Sequence, residues 1–200
     1  MSGAKTLLEW AGVTASPARF ADAAVIVIDA QNEYVTGRLP LEGVVAALDN
    51  IATLLSAARN AGAPVVHIVQ RGRASGLFDP ASDAFGIAPQ AMPFPGERVI
   101  EKPLPNSFAK TDLHAALQET GRNELIIAGF MTHMCVSATA RAALDLGYRT
   151  TVIADAMATR ALPDPLGGSD LPAAMVHRAT LAALADRFVT VASTADLVAS

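Results

Sequence analysis

The chain has 200 residues, of which 52% are hydrophobic and 17% are charged. This composition supplies enough apolar surface for a core and excludes an intrinsically disordered protein. Because 19 acidic residues outnumber 15 basic ones, the net charge of -4 argues against nucleic acid or an anionic membrane as a partner. No apolar run approaches the ~18 residues of a membrane span. We therefore expect one globular domain over residues 1–200, with its core at about 22–193.

The cysteine content bears on the cellular compartment. The sequence has one cysteine, Cys135, so no disulfide can form within the chain. The first residues, MSGAKTLLEWAGV, lack the basic and apolar regions of a secretory signal. These two features predict a cytoplasmic protein.

Apolar segments of two periodicities alternate along the chain. Short β-branched runs predict strands buried on both faces, and longer segments with apolar residues at helical spacing predict helices. Their alternation predicts right-handed βαβ units. The expected fold is α/β: a three-layer α-β-α, Rossmann-like domain with a doubly wound parallel sheet of about six strands. The predicted strands are 23–31, 64–70, 97–102, 124–130, 150–156 and 188–193, and the predicted helices are 42–61, 110–121, 133–146 and 172–185.

One long connection interrupts this alternation. Residues 71–96 contain four glycines and four prolines where a short connection would suffice. The aromatic residues Phe78, Phe85 and Phe94 in this insertion need cover from a substrate crevice or from another subunit. The two alternatives, a lid and a subunit contact, stay open. We expect a homo-oligomer, a dimer or a tetramer, with the insertion at the contact.

Three reactive side chains follow predicted strands. Asp29 comes after the first strand, Lys102 ends the third, and Cys135 begins the helix after the fourth. Open parallel sheets bind ligands outside the carboxyl ends of the strands, where the winding reverses, so we expect these side chains to meet. A cysteine in the first turn of a helix and beside a lysine should have a lowered thiol pKa. Together these residues indicate a cysteine nucleophile, a lysine cation beside it, and an aspartate that takes the thiol proton and later delivers it to the leaving group.

Each of the three residues also has a purely structural interpretation. A lone cysteine in a cytoplasmic protein is usually a small buried hydrophobic residue. Aspartate at the end of a strand is commonly a helix cap or a turn former, and Lys102 before Pro103 is compatible with a solvated loop. Their common position favours chemistry, because an ionisable residue beside a buried apolar run is costly without a partner.

Three motifs resemble those of the isochorismatase-like cysteine hydrolases. They are IDAQNEY (28–34), EKPLPNSFAKTDL (101–113) and GFMTHMCVSATARAALDLGY (129–148), and the resemblance covers about 22–193. It implies that Cys135 is the nucleophile, Asp29 the general base and later acid, and Lys102 the stabilising cation. It also implies a cis peptide bond between Phe130 and Met131, which directs the backbone N–H of Met131, with that of Cys135, at an oxyanion.

The reaction implied by this resemblance is acyl transfer to the cysteine, followed by hydrolysis of the thioester. We expect hydrolysis of a C–N bond, in an amide or carbamoyl group, of a small-molecule substrate. No cofactor is expected. The substrate pocket should be lined by side chains near the nucleophile, namely Gln31, Tyr34, Phe108, Phe130 and His133.

The histidine pattern bears on the choice among subfamilies. Zinc-containing nicotinamidases of this superfamily carry an Asp-x-His and a further histidine after the second strand, whereas residues 70–96 contain no histidine. The four histidines of the chain have no ligand spacing, so we predict no metal site and disfavour nicotinamidase activity. A dinucleotide-binding oxidoreductase is also disfavoured, because DAQNEYVTG after the first strand lacks Gly-x-Gly-x-x-Gly. An isochorismatase-type vinyl-ether hydrolase and a noncatalytic relative remain as alternatives.

Overall fold

The computed structural model of the chain describes residues 3–199. Its centre is a sheet of six parallel strands with helices on both faces. The strands are Ala23–Ile28 (β1), Val65–Gln70 (β2), Arg98–Lys102 (β3), Glu124–Phe130 (β4), Arg149–Ala158 (β5) and Thr190–Ala192 (β6). The helices are Leu7–Trp10 (α1), Val44–Asn60 (α2), Leu113–Glu119 (α3), Ser137–Asp145 (α4), Ala173–Ala185 (α5) and Thr194–Val198 (α6).

The order of the strands places the site. They lie in the order β3-β2-β1-β4-β5-β6, so the winding reverses between β1 and β4. The chain leaves β1 towards β2 and β3 on one side, and later returns to β4 on the other side. The crevice at the carboxyl ends of β1 and β4 is therefore the expected ligand site of this sheet. The fold class predicted from the sequence is confirmed.

Two apolar cores cover the two faces of the sheet. Alternate residues of β1 point to opposite faces, as in any strand. Val25 and Val27 pack with residues of α2 and α6, whereas Ile26 and Ile28 pack with residues of α3, α4 and α5. All six residues of β1 are buried, which explains its continuous apolar run. The result is the expected three-layer arrangement.

Several element boundaries differ from the sequence prediction. β1 ends at Ile28, because Asp29 has a φ of 51°, a left-handed conformation that stops an extended strand. The helix predicted from residue 110 is α3, which begins only at Leu113. Residues 132–136 form a π-helical turn, so the α-helix predicted from residue 133 begins only at Ser137. The short helices α1 and α6 were not predicted. Within residues 3–199, no helix is both long and apolar enough to cross a membrane.

The insertion 71–96 packs largely on its own chain. Phe78 is buried, with its ring 5.2 Å from that of Tyr34, and Phe85 packs against the same core cluster. Phe94 is 57% exposed and lies under the guanidinium of Arg59, at 3.7 Å from the ring centroid. This chain therefore covers Phe78 and Phe85 itself, so neither of them needs cover from another subunit.

Candidate active site

The three reactive residues predicted from the sequence meet at the carboxyl edge of the sheet. The ammonium Nζ of Lys102 lies 2.8 Å from Oδ2 of Asp29 and 3.2 Å from Sγ of Cys135. Asp29 and Lys102 are completely buried, and Cys135 is 5% exposed. A buried ion pair beside a thiol matches the nucleophile, carboxylate and cation that thiol-based acyl transfer requires.

Local backbone geometry brings Cys135 to Asp29. Gly129 has a φ of 112°, and a Cβ there would lie 2.0 Å from the carbonyl oxygen of Ile28. Glycine therefore permits β4 to approach the end of β1 closely. The peptide bond between Phe130 and Met131 is cis, and the π-helical turn that follows carries Cys135.

The electrostatics of the thiol differ from the sequence prediction. Burial and, to a smaller extent, the neighbouring Asp29 carboxylate raise the pKa of Cys135 to about 12, although Lys102 opposes the shift. Burial also raises the pKa of Asp29, although Lys102 opposes that shift. The predicted lowering of the thiol pKa is therefore wrong, because desolvation outweighs the helix terminus and the lysine. In the free protein the thiol is protonated, beside a carboxylate that can accept its proton.

Gln31 lies at the site, but its side chain binds backbone atoms. Its Nε2 donates to the carbonyl oxygens of Gln70 at 3.2 Å and Phe85 at 2.8 Å. Its Oε1 accepts a hydrogen bond from the backbone N–H of Gln70 at 2.8 Å. Both N–H groups of the amide are therefore used within the chain, and a contact of Gln31 with substrate stays a prediction. Its role is to join β2 and the insertion to the turn after β1.

The predicted aromatic pocket residues divide into two groups. Tyr34 and Phe130 are buried and in edge-to-face contact, with their ring centroids 5.9 Å apart, in the core cluster that also contains Met131. Phe108 instead stacks on Tyr148, 6.0 Å away, in the cluster on the other face of the sheet. This cluster also contains Cys135, and the stacking on Tyr148 occupies one face of the Phe108 ring, so its contact with substrate stays a prediction.

His133 lies in the π-helical turn two residues before Cys135. Its Nδ1 is 2.5 Å from the Oγ1 of Thr159, and its Nε2 is buried without a hydrogen-bond partner. Burial, with the positive charge of Arg160, lowers the pKa of His133, so the ring is neutral at neutral pH. A neutral imidazole with one open nitrogen remains compatible with the predicted contact to substrate.

Arg160 is a residue that the sequence analysis missed. It follows β5 at the same edge of the sheet, and its charge acts on both His133 and Tyr34. Its Nε is buried without a hydrogen-bond partner, and its Nη1 donates to the carbonyl oxygen of Ala161 at 3.1 Å. Among the described residues it forms no ion pair. The predicted strand ended at residue 156, whereas β5 continues to Ala158, so the sequence did not show that Arg160 directly follows the end of a strand.

No group of three or more metal-binding side chains occurs in the described part of the chain, residues 3–199. His67 contacts Glu97 at 2.9 Å, and His177 contacts Thr132 at 2.9 Å, so these two histidines have protein partners. The absence of a metal cofactor stays a prediction.

Comparisons with known proteins decide the family. Residues 23–196 match the isochorismatase domain family. The chain belongs to this family. The isochorismatase family protein YddQ of Bacillus subtilis (strain 168) is 41% identical over 174 residues, which cover 86% of this chain and 96% of YddQ. The crystal structure of an isochorismatase from Pseudomonas putida KT2440 is 45% identical and superposes with a TM-score of 0.93, covering 98% of this chain and all of that one.

Two further relatives have more specific names. The secreted isochorismatase effector Isc1 of Verticillium dahliae is 36% identical over 98% of this chain and all of Isc1. Maleamate amidohydrolase of Pseudomonas putida is 31% identical over 158 residues, which cover 68% of this chain and 72% of that enzyme. The family thus includes hydrolases with different substrates, and this chain is an isochorismatase-family hydrolase.

Proposed function

We propose that this hydrolase cleaves a C–N bond, in an amide or carbamoyl group of a small metabolite, through a thioester on Cys135. The observation that carries the proposal is the buried group of Asp29, Lys102 and Cys135, with Nζ at 2.8 and 3.2 Å from the carboxylate and the sulfur. A relative named as an amidohydrolase supports the choice of bond.

The proton moves between two of these residues. The Asp29 carboxylate takes the thiol proton, and Sγ attacks the carbonyl carbon while Lys102 stabilises the thiolate. The backbone N–H groups of Met131 and Cys135 donate to the oxyanion. Asp29 then gives the proton to the leaving nitrogen as the C–N bond breaks. It next removes a proton from the water that hydrolyses the thioester, and it returns that proton to sulfur.

The substrate class follows from Arg160. A partly buried guanidinium with an unpaired Nε and no carboxylate partner among residues 3–199 is suited to an anionic ligand group. Its charge acts on His133, two residues from the nucleophile. We therefore propose that the substrate carries a carboxylate, held by Arg160, in addition to the scissile amide or carbamoyl group.

The test of this function uses matched pairs of substrates. Purified protein is assayed for hydrolysis of small amides and carbamoyl compounds with and without a carboxylate, and of isochorismate. We expect turnover of a carboxylate-bearing amide or carbamoyl compound, with kcat/KM lowered at least ~tenfold by Arg160→Gln, the loss of about one charged hydrogen bond. The same change at the exposed Arg178 is the control. Cleavage of isochorismate alone would establish the vinyl-ether alternative, and no turnover with any compound would favour a noncatalytic relative.

Three other predictions remain part of this proposal. The enzyme acts without a cofactor, in the cytoplasm, and as a homo-oligomer. Among the phenylalanines of the insertion, only Phe94 is largely exposed and available for a subunit contact. Light scattering tests the oligomeric state, and a monomer at low concentration would contradict it.

A further inference from the structure

The ammonium of Lys102 has a third partner besides the carboxylate and the sulfur. The Oε1 of Gln70 accepts a hydrogen bond from Nζ at 2.7 Å, the shortest of the three contacts. A lysine ammonium has three N–H donors and no acceptor. Lys102 is completely buried, and its ammonium donates hydrogen bonds to Gln70 and Cys135 and forms an ion pair with Asp29.

The backbone of Gln70 is fixed from the other side. Its N–H and its carbonyl oxygen both bind the side-chain amide of Gln31, which also binds the carbonyl oxygen of Phe85 in the insertion. The orientation of the Gln70 amide is determined as well, because its oxygen must face the ammonium, and its Nε2 donates to the carbonyl oxygen of Arg71 at 3.2 Å. Gln70 is therefore held at both its backbone and its side chain.

We propose that Gln70 is a positioning residue that fixes the ammonium of Lys102 between Asp29 and Cys135. Without its oxygen, a buried N–H of Lys102 has no acceptor, and the ammonium moves to find one. Movement away from Sγ removes the cation that stabilises the thiolate. Through Gln31, the same chain of hydrogen bonds ties the insertion to the nucleophile.

Two substitutions separate this role from simple packing. Gln70→Met keeps the approximate shape and removes the acceptor, whereas Gln70→Glu keeps an acceptor and adds a negative charge. Gln118→Met and Gln118→Glu make the same chemical changes on the exposed side of α3 and serve as controls. Thermal midpoints of all variants show whether each one folds.

The first measurement needs no substrate. Because Cys135 is the only cysteine, its alkylation by iodoacetamide is followed at pH 7 to 9 by intact mass spectrometry. We expect Gln70→Glu to slow this reaction about tenfold, since a second carboxylate near the sulfur disfavours the thiolate that reacts. An unchanged rate, equal to that of Gln118→Glu, would overturn the proposal.

The second measurement rests on the proposed function. We expect Gln70→Met to lower kcat at least ~tenfold with KM nearly unchanged, and Gln70→Glu to retain more of kcat at high pH than Gln70→Met. Equal kcat in Gln70→Met and Gln118→Met would contradict the positioning role. If Gln70→Met does not fold, the alkylation rate of Gln70→Glu decides. If the wild-type protein hydrolyses no compound, the proposed function fails while the alkylation rate still tests Gln70.

Discussion

Oδ2 of Asp29 lies 2.8 Å from Nζ of Lys102, and neither side chain has any exposure to solvent. The two residues come from the ends of β1 and β3, which are separated in the sheet by β2. Burying such an ion pair costs desolvation free energy. Removing one partner destabilises the fold further, because the other charge is then buried without a counter-charge. The pair therefore couples catalysis to stability, and any test of Asp29 must separate the two.

We predict that Asp29→Asn abolishes the acceptance of the thiol proton and slows acylation by at least ~10²-fold. Asparagine tolerates the left-handed backbone of Asp29, but it leaves the ammonium of Lys102 buried without a counter-charge, which costs about 3 to 5 kcal/mol of unfolding free energy. Single-turnover acylation and denaturant unfolding measure the two effects.

The double variant Asp29→Asn, Lys102→Met provides the control. It removes both charges, so we expect it to regain much of the stability that Asp29→Asn loses, while acylation stays as slow as in Asp29→Asn or slower. Near-normal acylation in a stable Asp29→Asn protein would remove Asp29 from the mechanism.

We predict that Cys135 reacts more slowly with iodoacetamide at pH 6 than a free thiol does. Burial and the Asp29 charge raise the thiol pKa to about 12, so the fraction of thiolate at pH 6 is smaller than in a free cysteine. The rate should still rise as the pH increases beyond the ~8.5 of an ordinary thiol. A rate at pH 6 above that of a free thiol would show that Lys102 outweighs desolvation.

The sequence predicts the fold and the reactive residues because both depend on local patterns. The β-branched runs of β1 and β4 identify buried strands, and the residues after them must lie at one edge of a parallel sheet. The partners of Lys102 are different. Gln70 ends a strand like many polar residues, and only the three-dimensional register shows that its amide faces the ammonium.

The direction of the pKa shift of Cys135 also could not be predicted from the sequence. The pattern indicates a helix terminus and a lysine, which both favour thiolate, but desolvation depends on how completely the neighbouring segments close over the sulfur. The stacking of Phe108 could not be predicted either, because an aromatic residue near a motif can face either core. Its partner Tyr148 lies 40 residues away in the chain.

We predict that Glu97→Gln destabilises the protein at pH 7 by about 1 to 3 kcal/mol, or about 2 to 4 °C per kcal/mol in the thermal midpoint. Burial alone would raise the pKa of Glu97, but hydrogen bonds from Arg59, the backbone N–H of Phe94 and His67 lower it to about 2. These bonds close the end of the insertion onto α2 and β2.

The effect of Glu97 depends on pH in a defined direction. Its pKa is lower in the folded chain, so its contribution is full above ~4.5 and disappears as the pH falls towards 2. The difference in thermal midpoint between wild type and Glu97→Gln should therefore shrink over that range. Glu101→Gln, which breaks an exposed pair with Arg71, is the control and should change the midpoint little. An equal change in thermal midpoint for both substitutions would show that the buried contacts of Glu97 stabilise the protein no more than an exposed ion pair does.

The covalent intermediate is the most direct test of the mechanism. Protein mixed with a turned-over carboxylate-bearing amide or carbamoyl compound is quenched in acid within one turnover and analysed by intact and peptide mass spectrometry. We predict an added acyl mass on the peptide that contains Cys135, and neither adduct nor turnover in a folded Cys135→Ala variant. Wild-type turnover in Cys135→Ala, or an acyl mass on any other residue, would contradict a thioester at Cys135.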